Sequence, residues 1–386
     1  MRKKLFVWTT AVICLLGFLP INAAASEFKF AVIPVIPENQ IDETKTYFDL
    51  KMNPGAEQDL EVQLRNDTEK EVIVETGISS ATTNLNGVVE YSPNGKKPDS
   101  SLKYNMADLV AAPAETKLPA KGEATVKIHI TMPKEKFDGV LAGGITFTEK
   151  QNDEKAAKDS SGSGMAINNK YSYVVALLAR QNENDVTPEL LLNNVAAAQV
   201  NARNVINANL QNPKATYINQ LKLNAEITKK GDSKVLYTAE GEGMQMAPNS
   251  NFDYPVPLNG KPLEAGDYHL KIVAYGGKSE DGTYKVKNAE GKEVAFKYKW
   301  ELGKDFTISG AEAKKYNEQD VTIKKDNTWI YILIGVLLLL LALLLIFFFI
   351  RRKKKKEEEE EEELRRKQAQ AAKRRKKKKL ADKKED

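Results

Sequence analysis

Trp329–Ile350, WIYILIGVLLLLLALLLIFFFI, carries no charge over 22 residues, and a water-surrounded domain has no place for such a run. As one helix it crosses about 30 Å of hydrocarbon with a modest tilt. Trp329 and Tyr331 stand at its leading edge, where amphipathic rings prefer the headgroup level. Arg351–Lys356 (RRKKKK) follow at once, and an excess of cations marks the cytoplasmic side. The expectation is a single-pass cell-membrane protein with a span at 329–350, the preceding domains outside and a cytoplasmic tail at 351–386.

Met1–Ala25 supports the same topology. Arg2-Lys3-Lys4 precede an apolar run from Leu5 to Leu19, and Ala23-Ala24-Ala25 close it, which is the layout of a cleaved signal peptide. Cys14 is the only cysteine and lies inside that run, with Ile13 where lipidation needs a small residue. The exported part therefore has no cysteine for disulfides, metal–thiolate sites or a thiol nucleophile, a composition expected of bacteria, particularly those with a single membrane.

The formal charge of +5 averages unlike parts. Residues 26–328 hold 37 basic and 43 acidic groups, a net −6 that repels phosphate and excludes a nucleic-acid-binding domain there. Residues 351–386 hold 18 basic and 10 acidic groups. Glu357–Glu363 lies between cationic blocks and pairs with Arg365 and Arg366 at i,i+4, so the tail reads as a solvated, partly helical rod. Its basic segment beside the membrane also suits anionic lipid.

Between these ends apolar residues alternate. Leu60, Val62 and Leu64 share one face, as do Val126, Ile128, Ile130 and Met132, then Leu221, Leu223, Ala225 and Ile227, then Val294, Phe296, Tyr298 and Trp300. Period two means half-buried strands. Turn signals such as Asn53-Pro54-Gly55, Asn94-Gly95 and Lys230-Gly231-Asp232 separate them. The expected fold is all-β: two tandem Ig-like antiparallel β-sandwich domains. The polar stretch 151–164, QNDEKAAKDSSGSG, reads as a linker. It divides a first domain, 26–160, from a second, 161–308, with 309–328 a stalk to the membrane. Leu190–Ala198 reads as the one helical turn.

The chemistry points to binding. His129 and His269 fall on polar faces of different domains, and HExxH, GxSxG and P-loop spacings are missing. No catalytic residue, metal or cofactor is expected, although paired carboxylates of a glycan hydrolase remain an alternative. Asn84, Asn86, Tyr91, Tyr104 and Asp108 put amides and rings in a segment poor in strand pattern, which suits a sugar polymer. Turn formation explains the same asparagines. Asn201–Asn212 (NARNVINANLQN) reads as an edge strand for pairing with a protein through Arg203, Asn204, Asn207 and Asn209. Met246, Asn249, Phe252 and Tyr254 read as a recognition loop. A membrane-tethered chaperone lending the Ile206 strand is a further alternative.

Several stretches resemble a known family: PVIPENQ (34–40), YFDLKMNPG (47–55), SATTNLNGVVEY (80–91) and FDGVLAGGITF (137–147) in the first half. NKYSYVVALLARQ (169–181), NARNVINANLQNP (201–213) and MQMAPNSNFDYP (244–255) carry it in the second. They are similar to WxL-interacting proteins, membrane-anchored surface proteins of low-GC Gram-positive bacteria. The resemblance implies a peptidoglycan-binding first domain and a host-binding second domain. Its implied partners are peptidoglycan, WxL-domain surface proteins and host extracellular-matrix ligands. Trp300-Glu301-Leu302 spells W-x-L but lies on a single alternating strand.

Overall fold

The computed structural model describes residues 29–150, 171–288, 290–324 and 328–382, with side chains as far as 373. The expected signal peptide 1–25 and linker 151–164 lie outside the described residues. The chain divides into two compact units, one ending at Thr322 and one beginning at Ile323.

In the first sandwich the strands are β1 (Phe30–Val35), β2 (Phe48–Lys51), β3 (Glu57–Asn66), β4 (Val72–Ser80), β5 (Thr82–Thr83) and β6 (Val89–Glu90). A one-turn helix α1 (Met106–Leu109) follows, then β7 (Val110–Ala111), β8 (Glu115–Leu118), β9 (Glu123–Thr131), β10 (Leu141–Glu149) and β11 (Ser172–Arg180). One sheet has the order β1-β3-β9-β7 and the other β2-β11-β10-β4-β8. The alternation read from sequence is the burial pattern: Leu60, Val62, Leu64, Val126, Ile128 and Ile130 face Phe48, Ile145, Phe147 and Leu177 in one core. Each such side chain contributes roughly 1.5–3 kcal/mol by leaving water.

β11 moves the expected boundary. It follows the linker, yet it pairs antiparallel with β10 from Leu141↔Ala179 to Thr148↔Ser172 and parallel with β2. The first sandwich therefore runs to Arg180 rather than ending near residue 160. Parallel pairing with β2 is non-local, which is why no local pattern announces it.

β10 is buried on both faces from Leu141 to Thr148. The core lies under one face, and the excursion between β4 and β7 covers the other. Added Cβ atoms would sit 2.5 Å from the Ser79 carbonyl oxygen at Gly143 and 2.2 Å from that of Tyr91 at Gly144. Only glycines admit that approach.

The second sandwich has β12 (Leu191–Val200), β13 (Arg203–Asn212), β14 (Ile218–Lys229), β15 (Val235–Met246), β16 (Ser250–Pro257), β17 (Gly266–Lys278), β18 (Tyr284–Lys287) and β19 (Glu293–Ile308). Sheets β12-β13-β16 and β15-β14-β17-β19-β18 enclose a core of Ile206, Leu210, Leu223, Ile227, Phe252, Leu270 and Ile272. Two readings are corrected here. Leu190–Ala198 is not helical: it is β12, paired with β13 and bulged beside Asn193. Asn201–Asn212 is not an edge, because β13 lies between β12 and β16. Asn201 and Ala202 both take positive φ, 50° and 56°, which makes the β12–β13 connection a type I′ hairpin turn.

The expected stalk begins later than residue 309. Helix α2 (Gly310–Gln319) starts at Ser309 in a capping box with Glu312. It buries Ala313 against the second core, and Asp320 accepts from the Asn204 backbone N–H at 2.7 Å. In the second unit, α3 (Thr328–Asp382) is one helix of 55 residues that contains the apolar run. Glu361, Glu362 and Glu363 pair with Arg365, Arg366 and Lys367 at i,i+4, so the tail is helical well past the span.

Candidate functional site

The two sandwiches meet along a closely fitted junction. Gly139 has φ +92°, and a Cβ there would lie 2.1 Å from the Ala215 carbonyl oxygen, which accepts instead from the Val140 N–H at 2.8 Å. Ala81, Val140, Ala142 and Leu178 of the first sandwich bury Ala247 of the second. The β5–β6 hairpin reaches across as well. Gly87 accepts from the Gln245 N–H at 2.7 Å, and Thr83 Oγ1 accepts from the Ala247 N–H at 3.0 Å. Tyr91 and Tyr217 join their hydroxyls at 3.0 Å, and burial pushes both phenols up, Tyr217 far beyond the usual phenol range.

Asp99, on the loop before α1, receives the amides of the second sandwich. Its carboxylate accepts from the Ser101 N–H and hydroxyl, from Gln211 Nε2 at 2.7 Å, and from Asn251 Nδ2. Burial pushes this carboxyl up, but those hydrogen bonds outweigh it and hold the group below its ordinary value. The amides continue across the outer face of the three-stranded sheet. Asn193 Nδ2 donates to Asn209 and Gln211, and Asn209 Nδ2 donates to Asn251 and, at 2.8 Å, to Asp253 Oδ1.

This row ends in a cleft of about 470 Å³, walled by residues 78–107 of the first sandwich and 249–253 of the second. Lys97 stands at its rim, and neither its ammonium nor Asp253 Oδ2 has a hydrogen-bond partner among the described residues. A cation, a carboxylate oxygen and fixed amides in one concave surface suit a polar organic ligand.

The glycan candidates are not brought together. Asn84 shapes a turn: its Oδ1 accepts from the Asn86 and Val88 N–H groups and its Nδ2 donates to Glu90. Asn86 is exposed on that turn. Tyr91 lies in the junction, whereas Tyr104 donates to Glu135 at 3.0 Å and packs on Phe137. Asp108 is exposed in α1. None of the five lines the cleft.

Of the protein-binding candidates, Arg203 is exposed beside the type I′ turn. Asn204 is buried and donates to Asn317. Asn207 lies on the outer sheet face with its Oδ1 buried and without a hydrogen-bond partner, and Asn209 belongs to the amide row. Met246, Phe252 and Tyr254 are not on a loop: they are core residues, because only Ala247-Pro248-Asn249 separate β15 from β16. Burial, then the Glu240 charge, pushes the Tyr254 phenol up to about 12. Asn249, at φ 47°, ties the turn to Ser101 and Pro213.

Sequence reasoning missed Asp99, Gln211, Asn251, Asp253 and Lys97. The Gly143-Gly144 pair was the available signal, since paired glycines in a strand mark a segment lying close over it. His129 bonds Asp59 at 2.7 Å and His269 bonds Asp305 at 2.6 Å, on separate sandwiches. Among the described residues no group of three or more His, Cys, Asp or Glu is placed to hold a metal.

Comparison with known proteins gives two family matches. Residues 30–149 match the peptidoglycan binding domain of WxL Interacting Protein, and residues 162–318 match its host binding domain. No curated protein sequence matches. Among solved structures, the Salmonella enterica SafA pilin–SafB chaperone complex is similar at 9% identity and TM-score 0.26, covering 74% of this chain and 99% of that one. The human CEP192 PapD-like domain 7 is similar at 12% identity and TM-score 0.24, covering 44% and 97%. No functional conclusion follows from either. The two family matches together span well over half of the sequence, and the chain belongs to the WxL-interacting protein family.

Proposed function

We propose that this cell-surface binding protein, with a helix long and apolar enough to anchor it in a membrane, is a scaffold that faces outward, grips peptidoglycan, and ties WxL-domain surface proteins and host matrix ligands to the membrane. The observation that carries this reading is the succession of two binding-domain matches and one apolar helix along a single chain. Six cations directly after the apolar run favour an inside tail.

Lending of the β13 strand is disfavoured, because β13 already has two partners, β12 and β16. Hydrolysis is disfavoured because the carboxylate of Asp99 is occupied by four donors, leaving Asp253 without an acid–base mate in the cleft. The test incubates the full chain, in detergent, with purified peptidoglycan. Co-sedimentation of intact protein without soluble muropeptides is expected; released fragments would replace the scaffold with a hydrolase.

A further inference from the structure

We infer that the junction cleft is a composite site for the peptide stem of peptidoglycan, its free carboxylate directed to Lys97 and an ammonium or amide N–H to Asp253. This rests on the peptidoglycan-binding reading and adds which part of the polymer is held and where.

A saccharide ring finds no flat apolar face in the cleft. Phe252 is its one aromatic lining residue, and that ring is 2% exposed. Sugar sites gain much of their contact from an open ring face, and the tyrosines that would have supplied one, Tyr91 and Tyr104, are engaged elsewhere. What the cleft does offer, a cation and a carboxylate among small apolar patches, suits a short zwitterionic chain. Leu85 and Leu102 give the apolar patches, and Pro93 and Pro98 stiffen the wall. Lys96 is held by the Thr83 carbonyl, whereas Lys97 beside it is free to meet a carboxylate. Asn105 Nδ2 donates to no described residue, while its Oδ1 is fixed by Ser80 and the Ala107 N–H.

On the opposite wall Asp253 is fixed through Oδ1 by Asn209, so Oδ2 is presented without a search over rotamers. The volume, about 470 Å³, falls in the range of roughly 300–1,000 Å³ typical of sites for small ligands. Stem peptides are rich in alanine, end in a carboxylate and carry a free amine where they are not cross-linked. They are the component of the polymer with that chemistry. Because one wall lies in each matched domain, neither domain alone completes the site.

The experiment titrates the full chain in detergent micelles with three probes. They are a synthetic L-Ala–γ-D-Glu–L-Lys–D-Ala–D-Ala peptide, glycan strands stripped of peptides by an amidase, and intact peptidoglycan. Asp253→Asn and Lys97→Glu each remove one charge contact, and Ala107→Trp fills the cleft from its exposed rim without breaking a side-chain hydrogen bond. Unchanged thermal unfolding of each variant shows that it is folded. The expected result is saturable peptide binding that each variant weakens at least tenfold, with the stripped strands indifferent to all three. Intact peptidoglycan binding without peptide binding would overturn the inference and leave the wall-binding reading standing. Peptide binding unmoved by all three variants would overturn the location. No binding of intact peptidoglycan would remove the reading beneath both.

Discussion

Replacing Asp99 by alanine tests whether the two sandwiches are one mechanical body. Asp99 is 9% exposed, and its carboxylate accepts four hydrogen bonds, two of them, from Gln211 and Asn251, arriving from the second sandwich. Hydrogen bonds to a charged group contribute roughly 1.5–3 kcal/mol each, and the variant also strands the buried Gln211 amide. The junction should therefore lose about 3–6 kcal/mol. Urea unfolding of the full chain in non-denaturing detergent, followed by intrinsic fluorescence, measures the loss at neutral pH. A double-mutant cycle with Gln211→Ala isolates the crossing bond. The pH dependence has a fixed sign. Asp99 titrates below its ordinary value in the folded chain, so its contribution is complete above the unfolded carboxyl pKa of about 3.9 and is lost as pH falls through the depressed folded value. The difference between wild type and Asp99→Ala should shrink on acidification below that point. A neutral-pH difference under about 0.5 kcal/mol, the range of an ordinary surface substitution, would refute the reasoning. So would a difference that acid leaves unchanged.

Other perturbations probe other joints. Gly139→Ala forces a Cβ onto the Ala215 carbonyl oxygen at a positive φ and should cost at least about 2 kcal/mol, read as a lower thermal midpoint. A fragment of residues 26–160 lacks β11 and should be unfolded by NMR dispersion, whereas residues 26–182 should fold; equal behaviour would sever β11 from the first sandwich. Ile206→Pro, at a fully buried position of the central strand β13, should cost about 3 kcal/mol or more and unfold the second sandwich outright. In alkaline titration by tyrosinate absorbance, Tyr254 should ionise only near pH 12. Because burial penalises the phenolate, stability is unaffected below the ordinary phenol value of about 10 and falls as pH rises from there through the folded value of about 12.

Strands whose two faces differ were legible, because burial on one side writes a period of two into the chain. Leu60, Val62 and Leu64 and their counterparts Val126, Ile128 and Ile130 fall where the alternation puts them. The apolar helix was legible from length and flanking charge alone. What was missed is non-local. Nothing between Leu190 and Ala198 distinguishes three consecutive alanines in a strand from the same alanines in a helix until β13 lies beside them. The asparagines of β13 looked like an exposed edge because amides are uncommon in central strands. Here the outer sheet face is polar: Asn209 bonds across it to Asp253, and Gln211 bonds to Asp99 of the first sandwich. Met246, Phe252 and Tyr254 were read as a loop because Pro248 and Asn249 punctuate them, yet a three-residue turn leaves both flanks in the core. The cleft itself depends on residues more than a hundred positions apart, such as Asp99 and Gln211, and no window along the chain contains both.

Every binding role proposed here requires the sandwiches to stand on the wall side of the membrane. Cys14 is the only native thiol and falls in the expected signal peptide, so single cysteines report their side without interference. Glu280→Cys, on an exposed loop of the second sandwich, and Gln368→Cys, on the exposed tail helix, are compared in intact cells with a membrane-impermeant maleimide. Labelling of Glu280→Cys in intact cells, with Gln368→Cys reacting only after lysis, is the expected result. The opposite pattern would place the sandwiches in the cytoplasm and contradict the account.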